Sequence, residues 1–429
     1  MKRRPTHKST WIEFAALPLF AGFALGSSFC MGGDESVRML KSFSPSAMLA
    51  TPTIQNQAQA PIAKKINHEG KGSHPGRNVA SGIEAWGLVK TDAPEAWRIS
   101  EGVADKDRKI IVAVIDTGAD TTHPDLRDNI WTNPGESGID DIGRDKSSNG
   151  VDDDGNGYVD DIHGWNFVFD NENVDDNHGH GTHIAGIIGA TGARRLTGVA
   201  PNVSLMILKY FDPRKPQQNP LAATIRAIHY AVANGAQVIN YSGGGITPSA
   251  EEFAALQNAS AHGVLVVAAA GNEKSNSDHF KYYPADYKLP NIMSVTAINS
   301  RSNVLASSNY GVATVDIAAP GEDILSTMPG GDYGLMTGTS QATAFATGVA
   351  VLVMAAHPSM IGHPAEIIEH LVATGETSGT LVGKTRTRAV LNAYRAVAMQ
   401  DSGVSVAGVA PSNIDLTSDL FVLPFSLTK

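Results

Sequence analysis

Cysteine is all but missing: Cys30 is the single one in 429 residues. That excludes an intramolecular disulfide and any cluster of thiolate metal ligands, and leaves the core and bound ions to supply stability. Positive charge is also in deficit. With 33 Lys and Arg against 43 Asp and Glu the formal net charge is -10, the wrong sign for nucleic acid or an anionic membrane surface as the main partner. Charged residues make up only 18% and hydrophobic ones 42%, which excludes a disordered chain and suits one large, monomeric globular domain with appendages.

The first 30 residues run basic, apolar, small: Lys2, Arg3, Arg4 and Lys8, then WIEFAALPLFAGFALG, then Gly26, Ser27 and Ser28. This is the order of a secretory signal, and the apolar run falls short of the roughly 20 residues a spanning helix needs. Secretion or residence in the cell envelope is therefore expected. Glu13 inside the run keeps an uncleaved membrane anchor open. Cys30 raises a lipoprotein reading, against which bulky Phe29 argues. Residues 31–82, rich in Ala, Pro, Ser and Gln without a sustained period, read as a linker or the pro-segment of a zymogen. The globular domain is expected over 83–400, followed by a tail over 401–429.

Within that domain IIVAVID (110–116), SLMILKYF (204–211), AQVINYS (236–242), VLVVAAAG (264–271) and IMSVTAIN (292–299) are short β-branched runs. Helical patterns such as AATIRAIHYAVANG and AEEFAALQNASAHG lie between several of them, closed by Gly235 and Gly263. Alternating strands and helices predict an α/β fold: a mostly parallel sheet covered by helices on both faces. In such sheets chemistry gathers at the carboxyl ends of the strands. A later run, QATAFATGVAVLVMAAH, is apolar or small all round and predicts a buried helix, with Thr339 or Ser340 as its N-cap.

Four groups fall at or near such ends. Asp116-Thr117-Gly118 follows IIVAVI, where a turning strand delivers a carboxylate to the crevice. D-T-G is also the aspartic-protease triplet, but its only second copy, Asp401-Ser402-Gly403, sits in the polar tail rather than on a hairpin lobe. His178, His180 and His183, among tight glycine turns, read either as metal ligands or as a source of one general base near neutral pH. Asn272 closes VLVVAAAG, where its amide suits an oxyanion donor or a left-handed turn. Ser340 stands at the mouth of the core helix, where free N–H groups and the dipole favour an oxyanion.

Taken together, Asp116, His180, Asn272 and Ser340 in that order resemble the subtilisin-like serine proteases. The resemblance runs over roughly residues 86–400 and rests on VAVIDTGAD with HPDL, HGHGTHIAG, GVAP, INYSGGG, VVAAAGNE, SNYG with VDIAAPG, and GTSQATA. It implies a three-layer subtilisin-like architecture and an endopeptidase acting on extended polypeptides through an acyl-enzyme. Ser340 would be the nucleophile, His180 the base, Asp116 its orienting partner, and Asn272 with the Ser340 N–H the oxyanion hole. Ser242, Gly243, Gly244, Ala268, Ala269, Ala270 and Gly271 would flank the primary pocket, and His183 would be structural. Two features depart from the family: Gln341 replaces the usual methionine after the nucleophile, and Ala344-Phe345 replaces Pro-His.

The acidic insert NGVDDDGNGYVDDIHGWNF repeats the opening of a calcium loop. Asp152, Asp154, Asn156, Tyr158, Asp160 and Asp161 are the expected ligands of a structural calcium. Asp125, in HPDL, matches another calcium ligand of the family, but Arg194 and Arg195 stand where the partner loop should offer oxygens, which argues against a second ion. Two other classes remain open on the sequence: a metallohydrolase using His178, His180 and His183, and a catalytically silent, calcium-stabilised binding module.

Overall fold

The computed structural model describes residues 64–65, 85–104 and 108–399, all within one compact unit. The expected signal segment, most of the pro-segment and the 401–429 tail lie outside the described residues.

A two-residue strand β1 (Lys64–Lys65) precedes two short helices, α1 (Trp86–Lys90) and α2 (Ala93–Ala96). Then come β2 (Ile111–Asp116), β3 (Gly164–Asn166), α3 (His180–Gly189), β4 (Ser204–Lys209), α4 (Pro220–Ala233), β5 (Val238–Tyr241), α5 (Ala250–Ala261) and β6 (Leu265–Ala269). Strands β7 (Ile292–Ile298), β8 (Ile317–Pro320), β9 (Ile324–Met328) and β10 (Asp332–Met336) lead to the long helix α6 (Thr339–Ala356). The chain closes with α7 (Pro364–Thr374), β11 (Glu376–Thr377), β12 (Ala389–Val390) and α8 (Ala393–Ala398).

Nine strands form the main sheet in the order β11-β12-β8-β7-β6-β5-β2-β4-β3. Each neighbouring pair is parallel except β11 with β12. This is the expected α/β arrangement. Apart from the edge strand β11 its strands are buried, and their alternation sorts side chains into two cores. Val112 and Val114 of β2, Leu205 and Ile207 of β4, and Leu265 and Val267 of β6 join the core under α3 and α6. Their neighbours Ala113, Ile115, Met206, Leu208, Val266 and Ala268 join the core under α4 and α5. Gly235 and Gly263 end α4 and α5 in the left-handed region, as the sequence predicts (φ 72° and 71°). A separate antiparallel sheet runs β1-β10-β9, so part of the segment expected as linker pairs with a strand of the domain.

Every residue of α6 from Thr339 to Ala355 is buried. By length and composition it would pass for a membrane span, yet it is the central core helix. Small residues along it let α3 and strands β5 to β8 pack close. Phe345, the departure behind the nucleophile position, is buried against α1, where a Cβ on Gly87 would lie 2.4 Å from its ring. The bulk therefore fills space between α6 and α1 without reaching the sheet rim.

From β2 the chain goes out to β3 at the sheet edge, steps back to β4 and crosses to β5 on the other side of β2. The order of connection thus reverses at β2, and the crevice at its carboxyl end is where such sheets hold ligands.

Candidate active site

Asp116 is the last residue of β2 and is 2% exposed. Its Oδ1 accepts a 2.7 Å hydrogen bond from His180 Nδ1 and another from the Thr117 N–H at 2.8 Å. Because Nδ1 carries the proton, the neutral ring keeps Nε2 as a base. Burial works to lower the His180 pKa, but the Asp116 carboxylate and the charge of Asp176 outweigh it, so the net shift is upward.

His180 opens α3, and the start of that helix is held by an aspartate that sequence reasoning missed. Asp176 Oδ1 accepts from Thr117 Oγ1 and from the His178 and Gly179 N–H groups, and its Oδ2 accepts from the N–H and hydroxyl of Thr182. Thr117 in turn accepts the Gly181 N–H at 2.9 Å. One carboxylate therefore ties the end of β2 to the first turn of α3. Gly181 makes the approach possible: a Cβ there would lie 2.0 Å from the Gly118 carbonyl oxygen and 3.1 Å from Asp116 Cβ. The only sequence signal for Asp176 was its position just ahead of HGHGTH.

The other two histidines do different work. His183 is fully buried, and its Nε2 donates to the carbonyls of Ile324 and Gly334 at 2.9 and 3.2 Å. Burial, with His180 nearby, pushes its pKa down to about 3, so it is a neutral tie from α3 to β9 and β10. His178 meets His180 edge-on at 6.3 Å between ring centroids. With one ring nitrogen of His180 given to Asp116 and Nε2 of His183 given to backbone, the three do not converge on a common point.

Ser340 is the second residue of α6, and the predicted cap is corrected here. The N-cap is Gly338, in extended backbone (φ 161°), with no side-chain cap. The acceptor arrives instead from β6: Asn272 Oδ1 takes the Thr339 N–H at 3.1 Å and the Thr339 hydroxyl at 3.2 Å. A backbone N–H can only donate, so the amide oxygen faces the helix and Nδ2 faces away, available as a donor. Asn272 is not itself in a left-handed turn; Gly271 before it takes the positive φ, 101°. The Ser340 hydroxyl, freed from capping, donates to the Ser242 carbonyl at 3.1 Å.

The two segments expected beside the pocket leave the carboxyl ends of adjacent strands, β5 for Ser242 to Gly244 and β6 for Ala268 to Gly271. Ala268, Ala269 and Ala270 are buried. Strands β2, β5 and β6 are consecutive and parallel, so one rim gathers Asp116 with His180, Ser242 with Ser340, and Asn272.

The acidic insert is less orderly than predicted. Of its expected carboxylate ligands Asp152 and Asp154 come together, joined by Glu136, which the sequence reading missed; oxygens of the three lie within 4.8 Å of one another, and Asn156 hydrogen-bonds both aspartates. Glu136 is buried and its Oε2 has no hydrogen-bond partner. Burial raises its pKa, partly offset by the Asp153 N–H, and the charges of Asp161, Asp154 and Asp153 push the same way as burial. Asp160 has φ 56° and turns its carboxylate back to the Gly150 N–H. Asp161 is fully buried and occupied by Asn133, Asn156 and the Tyr230 hydroxyl. Asn156 Oδ1 accepts the Tyr158 N–H, and the Tyr158 ring packs on Trp165 and Tyr230.

The family model described as "Subtilase family" matches residues 107–401. The chain belongs to the subtilase family. Similar proteins include the major intracellular serine protease of Bacillus subtilis, 38% identical over 272 residues covering 62% of this chain and 74% of that one. Thermitase of Thermoactinomyces vulgaris is 32% identical over 314 residues, covering 73% and 95% respectively. Subtilisin E of Bacillus subtilis is 35% identical over 271 residues, covering 62% and 61%. This subtilase is accordingly a serine endopeptidase, and polypeptides are its substrates.

Proposed function

We propose that this subtilase cleaves extended polypeptides through an acyl-enzyme on Ser340. His180 takes the hydroxyl proton at Nε2 as oxygen attacks the scissile carbonyl, then returns it to the leaving amine. Asp116 fixes the tautomer and stabilises the imidazolium. Asn272 Nδ2 and the Ser340 N–H, at the positive end of α6, receive the oxyanion. Attack requires the Ser340 hydroxyl to leave the Ser242 carbonyl and turn to the imidazole, a side-chain rotation of the sort that substrate binding completes. The observation that carries this reading is the adjacency of two strand ends: β2 holds His180 through Asp116, and β5 holds Ser340 through Ser242. Fluorophosphonate labelling together with hydrolysis of a denatured protein tests it. Both should vanish in Ser340→Ala and His180→Ala; turnover that survives Ser340→Ala would refute the assignment.

The acidic insert supports a structural calcium, a hard cation that takes carboxylate oxygens. Glu136, Asp152 and Asp154 would hold it, since a buried carboxylate oxygen without a partner beside two further carboxylates fits a cation. The basic, apolar and small order of the first 30 residues supports export of the enzyme, with 31–82 as its pro-segment. N-terminal sequencing of the exported precursor and of the mature protein checks the two boundaries.

A further inference from the structure

The two segments beside the oxyanion donors do not enclose an open slot. We propose that Tyr282 fills the primary specificity pocket and restricts the residue on the acyl side of the scissile bond to a small side chain. This rests on the site reading above and concerns the substrate class of that same site.

With its carbonyl between Asn272 and the Ser340 N–H, a substrate residue must lie over the ends of β5 and β6. Its side chain then points into the gap between Gly244 and Gly271. One ring stands close to both glycines, beside the Tyr283 carbonyl at Gly244 and Glu273 and Asn309 at Gly271. A Cβ on Gly244 would lie 2.5 Å from Tyr282 Cε1 and 3.0 Å from Cζ, and a Cβ on Gly271 would lie 2.9 Å from Tyr282 Cδ2. Cε1 and Cδ2 are opposite corners of the ring, so the phenol spans the gap from wall to wall. A side chain at either position would collide with the ring as well as with its other neighbours.

The ring does not sit on a loose flap. The Tyr282 N–H donates to Asp286 Oδ2 at 2.6 Å, the Asp286 N–H donates back to the Tyr282 carbonyl at 2.9 Å, and Tyr283 exchanges two backbone hydrogen bonds with Gly245 at 2.7 and 2.8 Å. Those bonds pin the backbone on both sides of the ring. The Glu273 carboxylate beside Gly271 is engaged by Asn309 Nδ2 at 2.7 Å. The filled space favours Gly, Ala or Ser over Phe, Leu or Lys.

The test is a peptide p-nitroanilide series varying only that residue, with active sites counted by fluorophosphonate titration. In the wild type kcat/KM for Ala should exceed that for Phe and Lys by at least about tenfold, within the range that pocket size alone sets. Tyr282→Phe should keep that order. Tyr282→Gly and Tyr282→Ala should raise Phe at least about tenfold while still cleaving the Ala substrate. A wild type that labels fully yet cleaves Phe or Lys as well as Ala overturns the proposal, as does an unchanged ratio in either enlarged-pocket variant. Absence of labelling in the wild type would instead overturn the assignment of Ser340.

Discussion

Two acidic stations carry the mark of a cation in the sequence, and the folded chain treats them in opposite ways. Asp125 is fully buried and its carboxylate accepts the N–H groups of Arg194, Arg195 and Leu196 and the Tyr333 hydroxyl. Arg195 lies 5.1 Å over the Tyr333 ring. At Glu136, Asp152 and Asp154 the carboxylates converge on one another, and one oxygen of Glu136 is left unanswered. Both oxygens of Asp125 are met by donors; at the second station Asp152 and Asp154 also accept N–H groups, but the buried Oε2 of Glu136 has none among the described residues. A carboxylate marks a metal site only where its own chain has not already answered it.

A third buried carboxylate sharpens the rule. Asp116 is answered by His180, which in the proposed mechanism changes charge during turnover, so substitution of Asp116 should be felt in rate rather than in stability. Asp116→Asn should lower kcat by about 10^4-fold with a melting temperature near that of the wild type; a loss under tenfold would break the analogy. Next in size, Asp125→Ala strands three backbone donors and a hydroxyl and should cost about 3–5 kcal/mol in urea unfolding, equally with calcium and with EDTA. A calcium-dependent cost would show that an ion does sit at Asp125. Calcium withdrawal from the wild type should lower stability by about 4 kcal/mol if the ion is present at a thousand times its Kd. Glu136→Gln should shrink that difference, and identical melting with calcium and EDTA in the wild type would remove the claim.

Smaller effects follow at the rim. Since the His180 pKa is raised and the base acts when neutral, kcat/KM should fall with decreasing pH through a midpoint above the ordinary 6.5. Asp116→Asn should move that midpoint down, and a wild-type midpoint below 6.5 would contradict the Asp116–His180 pairing. The smallest change expected is under peroxide. With Gln341 next to the proposed nucleophile there is no thioether at that position to oxidise, so activity should decline slowly; rapid loss with oxidation mapped to α6 would overturn this.

What could be read in advance was local. The strand runs at 110–116, 204–211 and 264–271 and the closing glycines of α4 and α5 are set by residue type and period, and the family order of Asp116, His180 and Ser340 rested on signals spaced along the chain. What escaped depends on contacts between distant segments. Asn272 replaces the expected cap because it reaches Thr339 across 67 positions, and no pattern around Thr339 announces that. Glu136 lies 16 positions before Asp152, outside the motif that drew attention to the insert. Asp160 left its expected place because a left-handed backbone aims its side chain at Gly150.

The proposed nucleophile, Ser340, stands on α6, the helix around which one of the two cores assembles, with Asn272 at the end of β6 and Ser242 at the end of β5 holding its turn of helix and its hydroxyl. A chain that has not brought those three elements together therefore holds a serine with no more reactivity than any other. Cutting power arrives only with completed folding, so a half-made molecule is harmless to its neighbours.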